Sequence, residues 1–195
     1  MDHRITVDLI IRATGILWLL LAAVWLGSAP FSKPAVQRES ATSRLEQGIV
    51  FFIGLYLLFA PPTHSDWFNQ PAFTVTRPTA LLGLALAVCG IAFSIWARLI
   101  LGENWSASVT IKQGHTLIVR GPYRLVRHPI YTGILFALLG SALQRGLIRS
   151  FVAVLFCAAS FWIKLTLEEQ FMVQRFGGEY LNYRRHVRAL VPFLF

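Results

Sequence analysis

The sequence predicts an all-α, polytopic integral membrane protein with about five transmembrane helices. Only 14% of its 195 residues are Asp, Glu, Lys or Arg, whereas a soluble domain carries about 25%. The charges are clustered, and several apolar stretches between them approach the ~20 residues that a membrane-crossing helix needs. The net charge of +9 resides mainly in the connections, where basic residues set membrane topology. No surface suited to nucleic acid is evident, so we predict no nucleic-acid partner.

The first predicted helix covers residues 7–26, and a polar connection follows over residues 27–47. The second apolar stretch, residues 48–60, ends at Pro61 and Pro62. This stretch is shorter than a full membrane span, so we expect its flanks to extend it or its neighbours to cover it.

A loop at residues 63–78 precedes the third predicted helix, residues 79–101. This helix has pairs of small residues spaced four apart, a pattern that suits close helix packing in lipid. The pairs are Gly83 with Ala87 and Gly90 with Ser94.

Two further apolar stretches, residues 131–144 and 149–167, follow a long polar segment at residues 102–129. The short connection between them predicts an antiparallel helical hairpin. Small residues recur along the first of these helices at Gly133, Ala137 and Ser141. We expect this stripe to form the contact face of the hairpin, with a lipid chain as the alternative occupant.

The distribution of Lys and Arg predicts that the amino terminus is outside and the carboxyl tail is in the cytosol. The predicted cytosolic connections and tail hold most of the basic residues: Lys33, Arg38, Arg44, Lys112, Arg120, Arg124, Arg127, Arg175, Arg184, Arg185 and Arg188. We divide the chain into a helical part, residues 1–101, and a core with a loop, the hairpin and the tail, residues 102–195. Cys89 and Cys157 have no partners at metal-ligand spacing, so we predict no metal site.

Chemistry is concentrated in the polar segment at residues 114–131, where Gly and Pro indicate a shaped loop. Glu168 and Glu169 follow where the last predicted helix leaves the membrane. Two adjacent acids are costly there unless positive or hydroxyl groups meet them.

The order of these motifs resembles the isoprenylcysteine carboxyl methyltransferase family. The matching motifs are Gly-His-x-Leu at residues 114–117, Gly-x-Tyr at 121–123, Arg-His-Pro-x-Tyr at 127–131, Glu-Glu at 168–169 and Phe-Gly-x-Glu-Tyr at 176–180. The wider superfamily includes phospholipid N-methyltransferases and, more distantly, membrane sterol reductases. The resemblance covers residues 101–195.

The resemblance implies a methyltransferase that uses S-adenosyl-L-methionine, bound in a cytosolic pocket between the loop before the fourth helix and the C-terminal segment. It implies a set of cofactor-binding residues: His115, Thr116, Leu117, Ile118, Gly121, Tyr123, His128, Pro129, Ile130, Tyr131, Glu168 and Glu169. Lys164 stands where the family carries an Arg, and we expect Lys164 and Arg127 to be catalytic residues that hold an anionic acceptor group.

Several alternatives stay open. The acceptor is predicted to be lipidic or prenylated, but an isoprenylcysteine carboxylate, a phospholipid amine, a small thiol and another isoprenoid all fit. A dinucleotide-dependent membrane reductase and a non-enzymatic membrane component or transporter are the competing classes. Trp105 is expected to anchor at the membrane interface, and Tyr180 and Tyr183 to pack there.

Overall fold

The computed structural model describes residues 3–61, 67–114 and 116–191. Within them the chain forms six α-helices and one two-stranded antiparallel sheet. The helices are α1 (His3–Ser28), α2 (Ala41–Phe59), α3 (Arg77–Leu101), α4 (Pro129–Arg145), α5 (Ile148–Phe176) and α6 (Gly178–His186), and the strands are β1 (Ala35–Arg38) and β2 (Thr110–Lys112).

The predicted fold class is confirmed, because the chain is 76% helical and polytopic. Among the described residues, four helices, α1, α2, α3 and α5, are long and apolar enough to cross a membrane. The fourth predicted helix, α4, has 17 residues and is only about 26 Å long at ~1.5 Å per residue. It packs between α3 and α5, and more of its residues are buried than in the other helices described.

Two helix ends differ from the sequence-based boundaries. Helix α2 begins at Ala41, earlier than residue 48, because the Ser40 side chain caps it by accepting a hydrogen bond of 3.1 Å from the Ser43 N–H. Helix α5 continues past residue 167 to Phe176 and ends before Gly177, whose φ is +52°. Glu168 and Glu169 therefore lie inside α5, past the residue at which the predicted apolar stretch ends.

The small residues of α3 and α4 face one another, as the pairs on α3 predicted. A Cβ added to Gly83 would lie 2.5 Å from the Gly140 carbonyl oxygen, and one added to Gly90 would collide with the Gly133 carbonyl. The expectation that Gly133, Ala137 and Ser141 contact α5 or a lipid chain is wrong. The backbones of α3 and α4 approach too closely for a chain to pass, and Ser141 instead accepts a hydrogen bond of 3.0 Å from Trp18 Nε1 of α1.

Arginine side chains bind the carboxyl ends of the helices. The Arg98 guanidinium donates to the carbonyls of Ser28 and Gly102, at the ends of α1 and α3, and lies 4.4 Å from the Trp105 ring centroid. At the opposite end of the bundle, Arg145 and Arg149 donate to the carbonyls that end α2. The partial negative charge of a helix carboxyl end stabilises a cation there.

The connections join in two groups at opposite ends of the bundle. Strands β1 and β2 link the connections that follow α1 and α3, whereas Pro71 pairs with Leu147 at the other end. The sequence predicted loops at all these places, because neither strand is long enough to show an alternating pattern.

Candidate active site

A cavity of about 270 Å³ lies at the end of the bundle where α4 begins, close to the ~300 Å³ lower limit of typical small-molecule sites. Its walls come from α4, α5 and α6 and from the segments at residues 104–110 and 116–131. Trp25 of α1, Phe51 of α2 and Leu101 of α3 complete it. The predicted loop and the C-terminal segment thus line the same space.

Three rings are stacked along one wall of the cavity. The His128 and Tyr131 rings lie 5.5 Å apart and nearly parallel, and Phe161 of α5 stacks on Tyr131 at 4.8 Å. Local sequence sets this up, because Pro129 starts α4 and restricts His128 to a non-helical conformation. The stack gives the cavity a flat, apolar side.

Glu168 faces the cavity. Its Oε2 accepts a hydrogen bond of 2.9 Å from the Tyr131 hydroxyl and lies 3.7 Å from His128 Nδ1. The side chain is 33% exposed, so the carboxylate keeps free acceptor positions toward the cavity.

Glu169 points away from the cavity into a cluster of cationic groups. Its Oε1 accepts from Arg127 Nε at 2.8 Å and from Arg127 Nη2, and lies 3.2 Å from His128 Nε2. Arg184 Nε approaches the other oxygen at 3.7 Å. His128 therefore lies between the two glutamates, with one ring nitrogen toward each.

Arg127 also holds the C-terminal tail. Its Nη1 donates to the carbonyls of Arg184 and Val187, and its backbone N–H donates to the Arg188 carbonyl at 2.8 Å. Although Arg127 borders the cavity, the guanidinium is directed toward Glu169 and the tail. This geometry differs from the expected contact with an acceptor.

Lys164 lies one helical turn before Glu168 and lines the cavity. Its Nζ donates to the Ala107 carbonyl at 2.5 Å and lies 5.8 Å from the Tyr131 ring centroid. No ion pair joins Lys164 to a carboxylate within the described ranges. Its charge is thus available to an anion in the cavity.

The other predicted site residues divide into three groups. Those that line the cavity are Thr116, Leu117, Ile118, Tyr123, Pro129 and Ile130. Gly121 does not line it; its φ of +61° makes a turn against Ile100 of α3. His115 lies outside the described residues.

Sequence reasoning missed several lining residues. Trp105, expected at the membrane interface, is only 9% exposed and lines the cavity. Tyr180 and Tyr183 also line it, and the Tyr183 hydroxyl donates to the Tyr123 carbonyl. Their aromatic character was the visible signal, but it suits an interface equally well.

Asn104 and Thr110 were missed because no motif marks them. Both line the cavity. Asn104 Oδ1 and Thr110 Oγ1 are buried and have no hydrogen-bond partner among the described residues. Buried polar atoms are usually satisfied, so these two indicate a polar ligand or water in the cavity.

The tyrosine hydroxyls near the cavity are held in the protonated form. Burial raises the pKa of Tyr123 well above its ordinary value, and the Glu168 carboxylate raises it further. Burial likewise raises the pKa of Tyr180 and Tyr183. Two of these hydroxyls donate hydrogen bonds in the structure, Tyr123 to the Ala97 carbonyl and Tyr183 to the Tyr123 carbonyl.

Comparison with known proteins shows which family model the chain matches and which curated proteins it resembles. The model of the phospholipid methyltransferase family matches residues 78–179, just over half of the chain. The chain is 32% identical over 99 residues to protein-S-isoprenylcysteine O-methyltransferase of Schizosaccharomyces pombe, covering 48% of this chain and 41% of that one. It is 29% identical over 145 residues to the cobalt-zinc-cadmium resistance protein CzcN of Cupriavidus metallidurans, covering 74% and 60%.

A solved structure shares the fold. The eukaryotic intramembrane Ras methyltransferase ICMT, an isoprenylcysteine carboxyl methyltransferase, superposes with a TM-score of 0.55 at 23% identity, over 81% of this chain and 55% of that chain. The chain spans roughly 40–60% of the length of the relatives it matches.

Proposed function

Because this chain belongs to the phospholipid methyltransferase family, we propose that it is a membrane methyltransferase that transfers a methyl group from S-adenosyl-L-methionine to a lipidic acceptor. The observation that carries the proposal is the two-sided cavity. Its Glu168 end is polar, and its other end lies among apolar side chains of α1, α2, α4 and α5, namely Trp25, Phe51, Ile134 and Phe161. Such a cavity suits a polar donor and an apolar acceptor.

The polar end fits the proposed cofactor. The Glu168 carboxylate has free acceptor positions for ribose hydroxyls or an ammonium group, and the unsatisfied Asn104 Oδ1 and Thr110 Oγ1 offer further polar contacts. The stacked His128 and Tyr131 rings offer a flat surface to an aromatic base. When bound, S-adenosyl-L-methionine supplies a methyl group on a good leaving group. The residues of this chain bind it, orient it and exclude water.

Lys164 is the proposed acceptor-binding residue. Its ammonium attracts a carboxylate and repels an amine, which favours an isoprenylcysteine carboxylate over a phospholipid amine. The neighbouring Phe161 and Phe51 suit an apolar tail. Since Lys lacks the planar fork of Arg, it holds the carboxylate by a point charge and leaves its orientation to the walls.

Arg127 and Glu169 are assigned a positioning role, because their contacts bind the tail to the start of α4. The pair fixes His128, which in turn borders Glu168. We place this end of the bundle on the cytosolic side, as the Lys and Arg bias indicates.

The test is methyl transfer from labelled S-adenosyl-L-methionine to a panel of prenylated cysteine carboxylates, phospholipid amines and small thiols, using protein in lipid nanodiscs. We expect label in the prenylated carboxylates, reduced by Lys164→Gln. Glu46→Gln is the control, since this exposed acid of α2 lies outside the cavity. Binding of NADPH without S-adenosyl-L-methionine would instead identify a reductase.

A further inference from the structure

Glu39 is a buried carboxylate in the connection between α1 and α2, outside the region matched by the family model. It is only 6% exposed. Burying a charge is unfavourable unless the charge is well hydrogen-bonded. The hydrogen bonds of Glu39 therefore indicate why an acidic residue occupies this buried position.

Three donors converge on this carboxylate. Oε1 accepts from the Val109 N–H at 2.9 Å, and Oε2 accepts from the Ser43 hydroxyl at 3.1 Å and Gln47 Nε2 at 2.9 Å. The Ser43 oxygen already accepts from Gln47 at 2.8 Å, so its hydrogen is directed to Glu39. Both carboxylate oxygens thus act as acceptors, one toward the backbone at Val109 and one toward two side chains of α2. A glutamine has one acceptor oxygen, and its N–H₂ would face either the Val109 N–H or the donors of α2 as they are oriented here.

Through these contacts Glu39 holds one wall of the cavity. Its own N–H donates to the Val109 carbonyl at 3.0 Å, so Val109 is bonded on both backbone groups. All neighbours of Val109 from Trp105 to Thr110 line the cavity. We call residues 105–110 the wall segment.

The wall segment in turn holds Lys164. The Ala107 carbonyl, two residues before Val109, accepts from the Lys164 ammonium at 2.5 Å. The Glu39 carboxylate also attracts this ammonium electrostatically. Glu39, bonded to the first turns of α2, and Lys164 of α5 thus hold the wall segment from two sides.

We propose that Glu39 is a positioning residue that sets the Lys164 ammonium through the wall segment. The inference rests on the proposed function, because it gives Lys164 the task of holding the acceptor. It assigns part of the active site to the N-terminal half of the chain. The simpler explanation is that Glu39 only fastens β1 to β2 and α2, and the experiment separates the two.

The first measurement is the reactivity of Lys164. The chain has three lysines, Lys33, Lys112 and Lys164, so acylation by an N-hydroxysuccinimide ester can be followed at each by peptide mass spectrometry. Glu39→Gln frees the wall segment, and we expect it to change the acylation rate of Lys164 about tenfold, the worth of one charge-assisted hydrogen bond. Lys33 is the internal reference. Glu46→Gln, an exposed acid of α2, is the matched control and should leave the rate at Lys164 unchanged.

The second measurement is steady-state kinetics with a prenylated carboxylate. Glu39→Gln should raise KM for the acceptor about tenfold, while the affinity for S-adenosyl-L-methionine stays within about twofold of wild type. In a Lys164→Gln background, Glu39→Gln should add no further loss, because the two residues act in one chain of contacts.

Glu39→Gln could instead lower the thermal midpoint, leave the acylation rate of Lys164 unchanged and give kinetic losses that add to those of Lys164→Gln. This result would mean that Glu39 only supports the fold, and it would overturn the proposal. If Glu39→Gln does not fold, Ser43→Ala keeps the charge and removes one donor. Ser43→Ala should then give a smaller change in the acylation rate of Lys164. An unchanged rate would overturn the proposal. The acylation measurement does not depend on methyl transfer. If Glu39→Gln changes the acylation rate of Lys164 but the protein shows no transferase activity, the proposed function is refuted, whereas the link between Glu39 and Lys164 is supported.

Discussion

Glu168 and Glu169 are adjacent in the sequence and have different surroundings. Successive residues on an α-helix are turned by about 100°, so one side chain of α5 enters the cavity while the next faces Arg127 and Arg184. Glu168 remains partly exposed with one tyrosine donor, whereas Glu169 is buried among cations. The two acids therefore have separable roles.

Exchanging each acid for its amide tests this separation. Glu168→Gln should weaken S-adenosyl-L-methionine binding roughly ten- to a hundredfold, the worth of a charged hydrogen bond, and should leave thermal unfolding nearly unchanged. Glu169→Gln leaves Arg127 without its counter-ion and should lower the free energy of unfolding by roughly 3–5 kcal/mol. Calorimetry measures the first effect and thermal unfolding in detergent the second. Unfolding that is affected equally by both exchanges would contradict the assignment.

At the scale of elements, the seam between α3 and α4 determines how the cavity is built. Glycines on both helices allow backbone contact, and Ser94 of α3 donates to the Ile130 carbonyl at 3.1 Å. This contact holds the first turn of α4, which carries Tyr131 beside Glu168. Without a hydrophobic force between helices in lipid, such small-residue contacts provide the packing.

Replacing a glycine of this seam by a larger residue should lower the stability of the fold and leave the choice of acceptor unchanged. Gly90→Ala places a methyl group against the Gly133 carbonyl, and overpacking of this kind costs about 1–3 kcal/mol. Gly15→Ala is the control, because no atom lies within 4 Å of the position that its new methyl group would take, and helix propensity alone then favours alanine by up to about 1 kcal/mol. Thermal unfolding of both variants measures the difference. If Gly90→Ala instead changed the preferred chain length of the acceptor and left the stability unchanged, the interpretation that a lipid chain contacts these small residues would be supported again.

At the scale of the whole molecule, the two ends of the bundle differ. One end holds the sheet, the cavity, α6 and the tail, with exposed arginines such as Arg120, Arg124 and Arg185. The other end holds Arg77 and the arginines that cap α2. From this larger basic content, the positive-inside rule predicts that the cavity end faces the cytosol.

Cysteine accessibility tests the orientation. With Cys89 and Cys157 replaced by alanine, Gln70→Cys should react with a membrane-impermeant maleimide from outside the cell. Gln113→Cys should react only after the membrane is opened, because it lies at the cavity end. Gln174→Cys, near the end of α5, is the control and should behave like Gln113→Cys. Labelling of all three from one side would contradict this arrangement.

Local patterns in the sequence determined the long apolar helices, the helical hairpin and the polar loop before α4. Hydropathy and basic-residue bias act over about one span of chain, so these features are readable without neighbours. The order of motifs also indicated which residues gather near Glu168, and all of those that the structure describes, except Gly121 and Glu169, line the cavity.

Only the tertiary structure decided which partner each of these residues meets. The stripe on α4 had a recognisable packing pattern, but a stripe does not specify whether α3 or α5 receives it. Arg127 had a suitable charge for an acceptor, yet Glu169 and the tail occupy it through contacts 42 and 60 residues away. Glu39 belongs to no recognisable motif, because its role depends on a hydrogen bond with Val109, which lies 70 residues away in the sequence. Contacts across such separations depend on how helices pack, and no local pattern of residue types encodes that packing.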